Sequence, residues 1–186
     1  EPGDPRMMEC MDSTTDERFN GFMWIKYINN KYSTSWPASL NNPRILRYAD
    51  VLLLKAEAIL QSGGEKSQDI ALINQVRSRA RGSDSVIPDD HPLSEVNSDT
   101  IMQWIMQERF LELSGEDDHR GFDLKRWHYA GFIDLSTWDG GDDGFSSIRS
   151  DFDFSDFFEK TMGKMWFPIP EDEIKYNTHI RQNPGY

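Results

Sequence analysis

Two blocks of helically spaced apolar residues, separated by little more than Gly63-Gly64, constrain this chain more than any other feature. The first block opens at N-N-P. Asn42 can accept from the unpaired N–H groups of a first turn, and Pro43 suits the first helical position, where no N–H is needed. Ile45, Ala49, Leu52, Ala56 and Ile59 recur along one stripe, with Leu46, Leu53 and Leu60 as a second. The helix is expected to run to about Gln61 and to be buried on more than one side, with Gly63-Gly64 giving a left-handed exit. The second block predicts a helix over roughly Ser67 to Ala80, with Ile70, Ile73, Val76 and Ala80 inward and Gly82 as its stop. Ala49, Ala56, Ala58 and Ala71 are small enough to let two such axes approach closely.

Two helices joined by a short turn make an antiparallel pair of tetratricopeptide-like size. Residues 83–97 read as a loop. Ser98 or Asp99 is expected to cap a third helix to about Ser114, and Gly115 to Asp118 break it before a short fourth helix through Trp127. The predicted fold is therefore mainly α, with long ordered loops and no second domain within 1–186. An aromatic-rich irregular region (1–42) precedes the helical pair (43–82) and the further helices (98–128). A variable acidic loop (129–164), with one helical turn expected around Ser155–Lys160, and a tail (165–186) follow. Pro168, Pro170 and Pro184 predict that the tail is extended.

The chain has 186 residues, of which 37% are hydrophobic, and a mean hydropathy of -0.68. Six Trp, six Tyr and eleven Phe mean that rings supply much of the apolar surface. A net charge of -12 argues against nucleic acid or an anionic membrane surface as a partner, since both demand clustered Lys and Arg. Cys10 is the only cysteine, so no intrachain disulfide is available. No run approaches the ~20 apolar residues that span a bilayer. The first residues carry no basic-plus-apolar leader, so Cys10 is not expected to accept a lipid, and the abrupt start reads as that of a fragment.

On the third helix Glu108 and Glu112 stand one turn apart, in line with Ile101 and Ile105. Such a pair could serve as acid and base of a glycosidase. The alternative is a structural ion network, with Arg109, Arg120 and Arg126 as its expected cations and an Asp123–Arg126 pair beside it. His91, His119, His128 and His179 lack metal-ligand spacing. Asp139, Asp142, Asp143, Asp151, Asp153 and Asp156 complete no EF-hand. No nucleotide, dinucleotide or nucleophile motif occurs, so catalytic residues, metal and cofactor are all expected to be absent. Rings in polar loops suit sugar stacking instead. Tyr32, Trp36 and Trp138 are the candidate ligand-binding residues, whereas Trp104, Trp127 and Trp166 are expected in the core.

Three segments, in order, resemble the C-terminal region of the SusD/RagB family. They are R-Y-A-D-V-L-L-L-K-A-E-A (Arg47 to Ala58) with I-N-Q-V-R-S-R-A (Ile73 to Ala80), Q-E-R-F-L-E-L-S-G-E-D-D-H-R-G-F-D-L-K-R-W (Gln107 to Trp127), and W-F-P-I-P-E-D-E-I-K-Y-N-T-H-I-R-Q-N-P-G-Y (Trp166 to Tyr186). D-P-R at Asp4 to Arg6, and Gly21, Lys26 and Tyr27, are similar to what precedes them in that family. Asp117, where the family usually has Gly, and Gly121, where it often has a large aromatic, depart from its pattern. The resemblance implies a non-catalytic, lipid-anchored protein on the outer-membrane surface. It would capture an oligosaccharide or another nutrient for a SusC-like TonB-dependent transporter. The alternative is an interaction scaffold docking that transporter, with ligand binding residing in a preceding N-terminal part.

Overall fold

The computed structural model describes residues 3–12, 23–27, 45–83, 86–116, 119–135, 166–184 and 186. Among them the chain is mainly helical, as expected, and it divides into two compact units, Glu1–Arg120 and Gly121–Tyr186.

The first unit begins with a one-and-a-half-turn helix, α1 (Pro5–Cys10), followed by β1 (Met11–Asp12). This strand pairs antiparallel with β2 (Met23–Trp24), Met11 opposite Trp24 and Asp12 opposite Met23. Three longer helices, α2 (Tyr48–Gln61), α3 (Lys66–Arg81) and α4 (Ser98–Leu113), pack on one another. Their shared core holds Leu53, Ala56, Ile70, Ile73, Ile101 and Ile105, all fully buried. Each of the larger side chains contributes about 1.5–3 kcal/mol by leaving water. Only Ala49 and Ala56 of the four small residues are buried; Ala58 and Ala71 face outward.

The helical pair closes as its glycines require. After α2, Gly63 donates to Leu60 O (3.2 Å) and Gly64 to Ile59 O (2.9 Å), a Schellman closure with Gly63 at φ 72°. Gly64 has a second constraint, because a Cβ there would lie 2.6 Å from Ile59 Cγ2 and 3.1 Å from its carbonyl oxygen.

The first helix of the pair starts later than the N-N-P signal predicts. Asn42 and Pro43 lie outside the described residues, but Ile45 and Leu46 are non-helical and 84% and 60% exposed, so neither belongs to an inward stripe. Arg47, extended at φ -122° and ψ 156°, is the boundary residue and lends no side-chain cap. Its guanidinium is committed elsewhere, as described below. Tyr48, Val51 and Leu54 leave an exposed outer face on α2, so that helix is not enclosed on every side. The cap of α4 also shifts by one residue: Asn97 Oδ1 accepts from Asp99 N (2.9 Å) and Thr100 N (3.4 Å), leaving Ser98 as the first helical residue.

The second unit contains α5 (His119–Tyr129), which begins just before the division, and α6 (Glu171–Tyr176). The tail is therefore not extended throughout. Pro170 supplies the residue before α6, and Glu171, Asp172 and Glu173 place three negative charges in its first turn, where the helix dipole favours them. No helix among the described residues is long and apolar enough to cross a membrane.

Candidate functional site

The most fully determined polar site is an ion network in the first unit, and it begins at D-P-R. Asp4 caps α1 by accepting from Arg6 N at 3.0 Å, with Pro5 at the first helical position. The same carboxylate holds the Arg6 side chain through Nε (3.0 Å) and Nη2 (2.6 Å). Arg6 Nη1 then reaches Glu108 Oε1 at 2.5 Å and Glu112 Oε2 at 3.3 Å. Arg77 Nη1 donates to the other Glu108 oxygen at 3.0 Å. Arg47 Nη1 (2.9 Å) and Arg79 Nη2 (2.6 Å) complete Glu112.

The end of α4 feeds the same network. Ser114 (φ -57°, ψ 136°) and Gly115 (φ 73°) form a type II turn closed by Glu116 N to Leu113 O at 3.2 Å. That turn directs Glu116 back toward Arg47, whose Nε donates to Oε2 at 2.7 Å. Glu116 Oε1 makes no well-directed hydrogen bond, yet it lies against the Lys26 ammonium and 2.7 Å from Arg47 Nη2, so its charge is met. Lys26 Nζ and Arg47 Nη2 also donate to Glu112 O (2.7 and 3.0 Å), satisfying an end of α4 where the dipole is negative.

Burial alone would raise the carboxyls of Asp4 and Glu116, but Arg6 in one case, and Arg47 with Lys26 in the other, hold both below the ordinary range. Burial likewise opposes the charges of Arg6 and Arg47, and their carboxylate partners outweigh it.

The network is real, but its cations differ from the sequence expectation. Arg109 sits about 100° around α4 from Glu108, and it pairs with buried Asp50 of α2 at 2.7 Å. Arg120 lies over the Phe110 ring. Arg126 does pair with Asp123 along α5, at 2.8 Å. The counter-ions of Glu108 and Glu112 come instead from α1, α3 and the residue before α2, which are remote in sequence and converge only in the fold.

A recess of about 440 Å³ opens beside this network, lined among others by Arg6, Cys10, Lys26, Arg47, Arg79 and Glu112. A second, of about 530 Å³, lies between α2 and α3 and shares Arg47 and Arg79. The four cations Arg6, Lys26, Arg47 and Arg79 all have carboxylate partners. All four oxygens of Glu108 and Glu112 are likewise engaged by arginines, and both side chains are buried. The arrangement is a clamp across α1, α3 and α4 rather than an exposed acid–base pair.

The ring residues chosen from the sequence, Tyr32, Trp36 and Trp138, lie outside the described residues, as do the aspartates of the acidic loop. Of the three Trp expected in the core, Trp127 is fully buried. Trp104 is half-buried and stacks on His91 with ring centres 4.0 Å apart. Trp166 departs from expectation: it is 58% exposed and stacks on Tyr129 instead. His128 Nδ1 accepts from Leu135 N at 3.3 Å, and His179 N donates to Asn177 Oδ1 at 3.1 Å. Among the described residues no three His, Cys, Asp or Glu side chains gather as metal ligands.

Comparison with known proteins supplies what the geometry does not. Residues 8–186 match the model of the SusD family. The chain is 31% identical to SusD-like protein P2 of Formosa agariphila over 147 residues, 76% of this chain and 25% of that protein. It is 40% identical to SusD-like protein P38 of the same organism over 90 residues, 46% of this chain and 17% of that protein. The aligned part is thus a quarter or less of the length of these curated relatives. No solved structure matches. The family match takes in the helices, the tail and every clamp residue except Asp4 and Arg6, and the chain belongs to the SusD family.

Proposed function

We propose that this chain is part of a non-catalytic cell-surface protein that captures an oligosaccharide or a related nutrient. The captured ligand is passed to a SusC-like TonB-dependent transporter in the outer membrane, where the full-length protein is held by a lipid anchor. The observation that carries the reading is the family match over residues 8–186. The clamp supports its non-catalytic character, because Glu108 and Glu112, the carboxylates considered as acid and base, are buried and fully paired with arginines. The net charge of -12 suits a neutral glycan better than a polyanion.

A glycan array probed with the 186-residue chain tests this reading. Saturable binding to one class of neutral oligosaccharide is expected; binding to none of a broad panel would count against it. Within this reading Tyr32, Trp36 and Trp138 remain the loop rings proposed for ligand contact. Their joint replacement by Ala should weaken binding.

A second reading, an interaction scaffold that docks the transporter, is favoured by the outward face of α2. There Tyr48, Val51 and Leu54 are 69%, 41% and 40% exposed, beside exposed Ile45 and Leu46. Co-purification of a SusC-like transporter with the chain, lost when Val51 and Leu54 become Ser, would support it. Glycan binding by the chain alone would favour the first reading.

A further inference from the structure

We propose that Tyr129 and Trp166 together form a stacking platform for a pyranose ring of a neutral oligosaccharide. The proposal rests on the glycan-capture reading above and places a contact point for it in the second unit. The two ring centres are 5.7 Å apart with planes 21° from parallel, and the side chains are 57% and 58% exposed. They therefore present neighbouring apolar surface to solvent. The C–H groups of a sugar face can pack against such a surface without ordering any flexible protein side chain.

Both rings are mounted on fixed backbone. Tyr129 is the last residue of α5, and that end is closed by Gly131 N to His128 O (3.0 Å) and Phe132 N to Trp127 O (2.9 Å). This is a Schellman closure with Gly131 at φ 81°, anchored on fully buried Trp127. Trp166 opens the W-F-P-I segment, which the tail grips through its amides. Gln182 exchanges two hydrogen bonds with the backbone of Ile169 (2.8 and 3.0 Å), and Asn183 Nδ2 donates to Phe167 O at 2.7 Å. Gln182 and Asn183 thus have a definite task, to hold the segment that carries Trp166. Lys125 Nζ, 5.0 Å from the centre of the neighbouring Phe167 ring, supplies a donor for sugar hydroxyls beside it.

The two units expose different kinds of apolar group. Among the described residues of the first unit, the large exposed hydrophobics are aliphatic apart from Tyr48. In the second unit they are all rings: Phe122, Tyr129, Phe132, Trp166, Phe167 and Tyr176, with Tyr186 at the end. Rings also serve protein interfaces, so the choice of a sugar follows from the glycan-capture reading together with the Lys125 ammonium beside the rings.

The test is calorimetric titration of the 186-residue chain with maltohexaose, cellohexaose, xylohexaose and mannohexaose. It compares wild type with Tyr129→Ala/Trp166→Ala and with Trp166→Phe, after circular dichroism and thermal melts have shown that the variants fold alike. The double variant is expected to lose about tenfold or more in affinity, while Trp166→Phe keeps most of it because a ring remains. Should the double variant bind as tightly as wild type, the platform is wrong and glycan capture stands on other residues. If wild type binds none of the four, while the array with the wild-type chain is positive for another glycan, the platform is overturned and glycan capture stands. A negative array overturns glycan capture by this chain and the platform together. Binding of a polypeptide that is abolished by the same two substitutions, with sugar affinity unchanged, would assign the rings to a protein partner.

Discussion

Glu108 is the residue on which the first unit depends most sharply. It is fully buried, with one oxygen on Arg6 and the other on Arg77. Replacing one member of such a pair leaves buried charges without compensation, so Glu108→Gln should cost about 3–5 kcal/mol in denaturant-unfolding experiments. Arg126→Ala, at the more exposed pair on α5, should cost about 1 kcal/mol or less. Asp69 gives the opposite lesson. Its carboxylate is wholly buried, neither oxygen has a hydrogen-bond partner, and burial raises its pKa to about 6 against only partial relief from Lys66. A carboxyl with a raised folded pKa contributes stability below its unfolded value of 3.8 and loses it as pH rises through about 6. Asp69→Asn should therefore stabilise the protein at pH 7 by roughly 2–3 kcal/mol and change little at pH 4. An equal effect at both values in urea titrations would contradict this account. At this scale the sequence shows that Glu108 and Glu112 lie on a buried stripe. It does not show which cations meet them, because Arg6, Arg47, Arg77 and Arg79 reach the site from separate elements. Nor does it show that Trp166 faces out, since an apolar residue in an irregular tail carries no periodicity from which to read its side.

The elements were legible where a period and a stop signal coincide. Gly63, Gly82 and Gly115 all mark ends at positive φ, and α3 and α4 fall within a residue or two of their expected limits. Starts were harder. At α2 the N-N-P signal competes with Arg47, which keeps extended backbone while its guanidinium serves Glu112 and Glu116. At α4 three successive residues, Asn97, Ser98 and Asp99, are all good caps, and only the geometry chooses Asn97. Asn97→Ala should lower the melting free energy by about 1 kcal/mol, and Ser98→Ala by far less; equal losses would mean that the cap is shared. The six-residue α6 was missed because its flanking prolines signal extended chain, while its acidic first turn is the subtler helical cue.

For the whole molecule, opposing titrations define a stability window. Asp4 and Glu116, held below their usual values of 3.8 and 4.5, contribute stability that is lost as pH falls through their folded values. Asp69 removes stability as pH rises from about 3.8 to about 6, where the loss is complete. Unfolding monitored by Trp fluorescence should therefore show greatest stability at about pH 4.5 and a decline to a lower plateau above about pH 6; a maximum above pH 7 would show that Asp69 finds a partner. The fold class and the family could be read in the sequence, because both rest on signals spread along the chain. The ligand could not, since the clamp is scaffold and the tail signature does not show which of its rings face outward. The central claim is capture without chemistry. It is tested most directly by titrating the chain with an array-identified oligosaccharide and recovering that ligand for mass spectrometry after prolonged incubation. The account predicts saturable binding with every recovered molecule intact; shortened products that vanish in the Glu108→Gln or Glu112→Gln protein would contradict it.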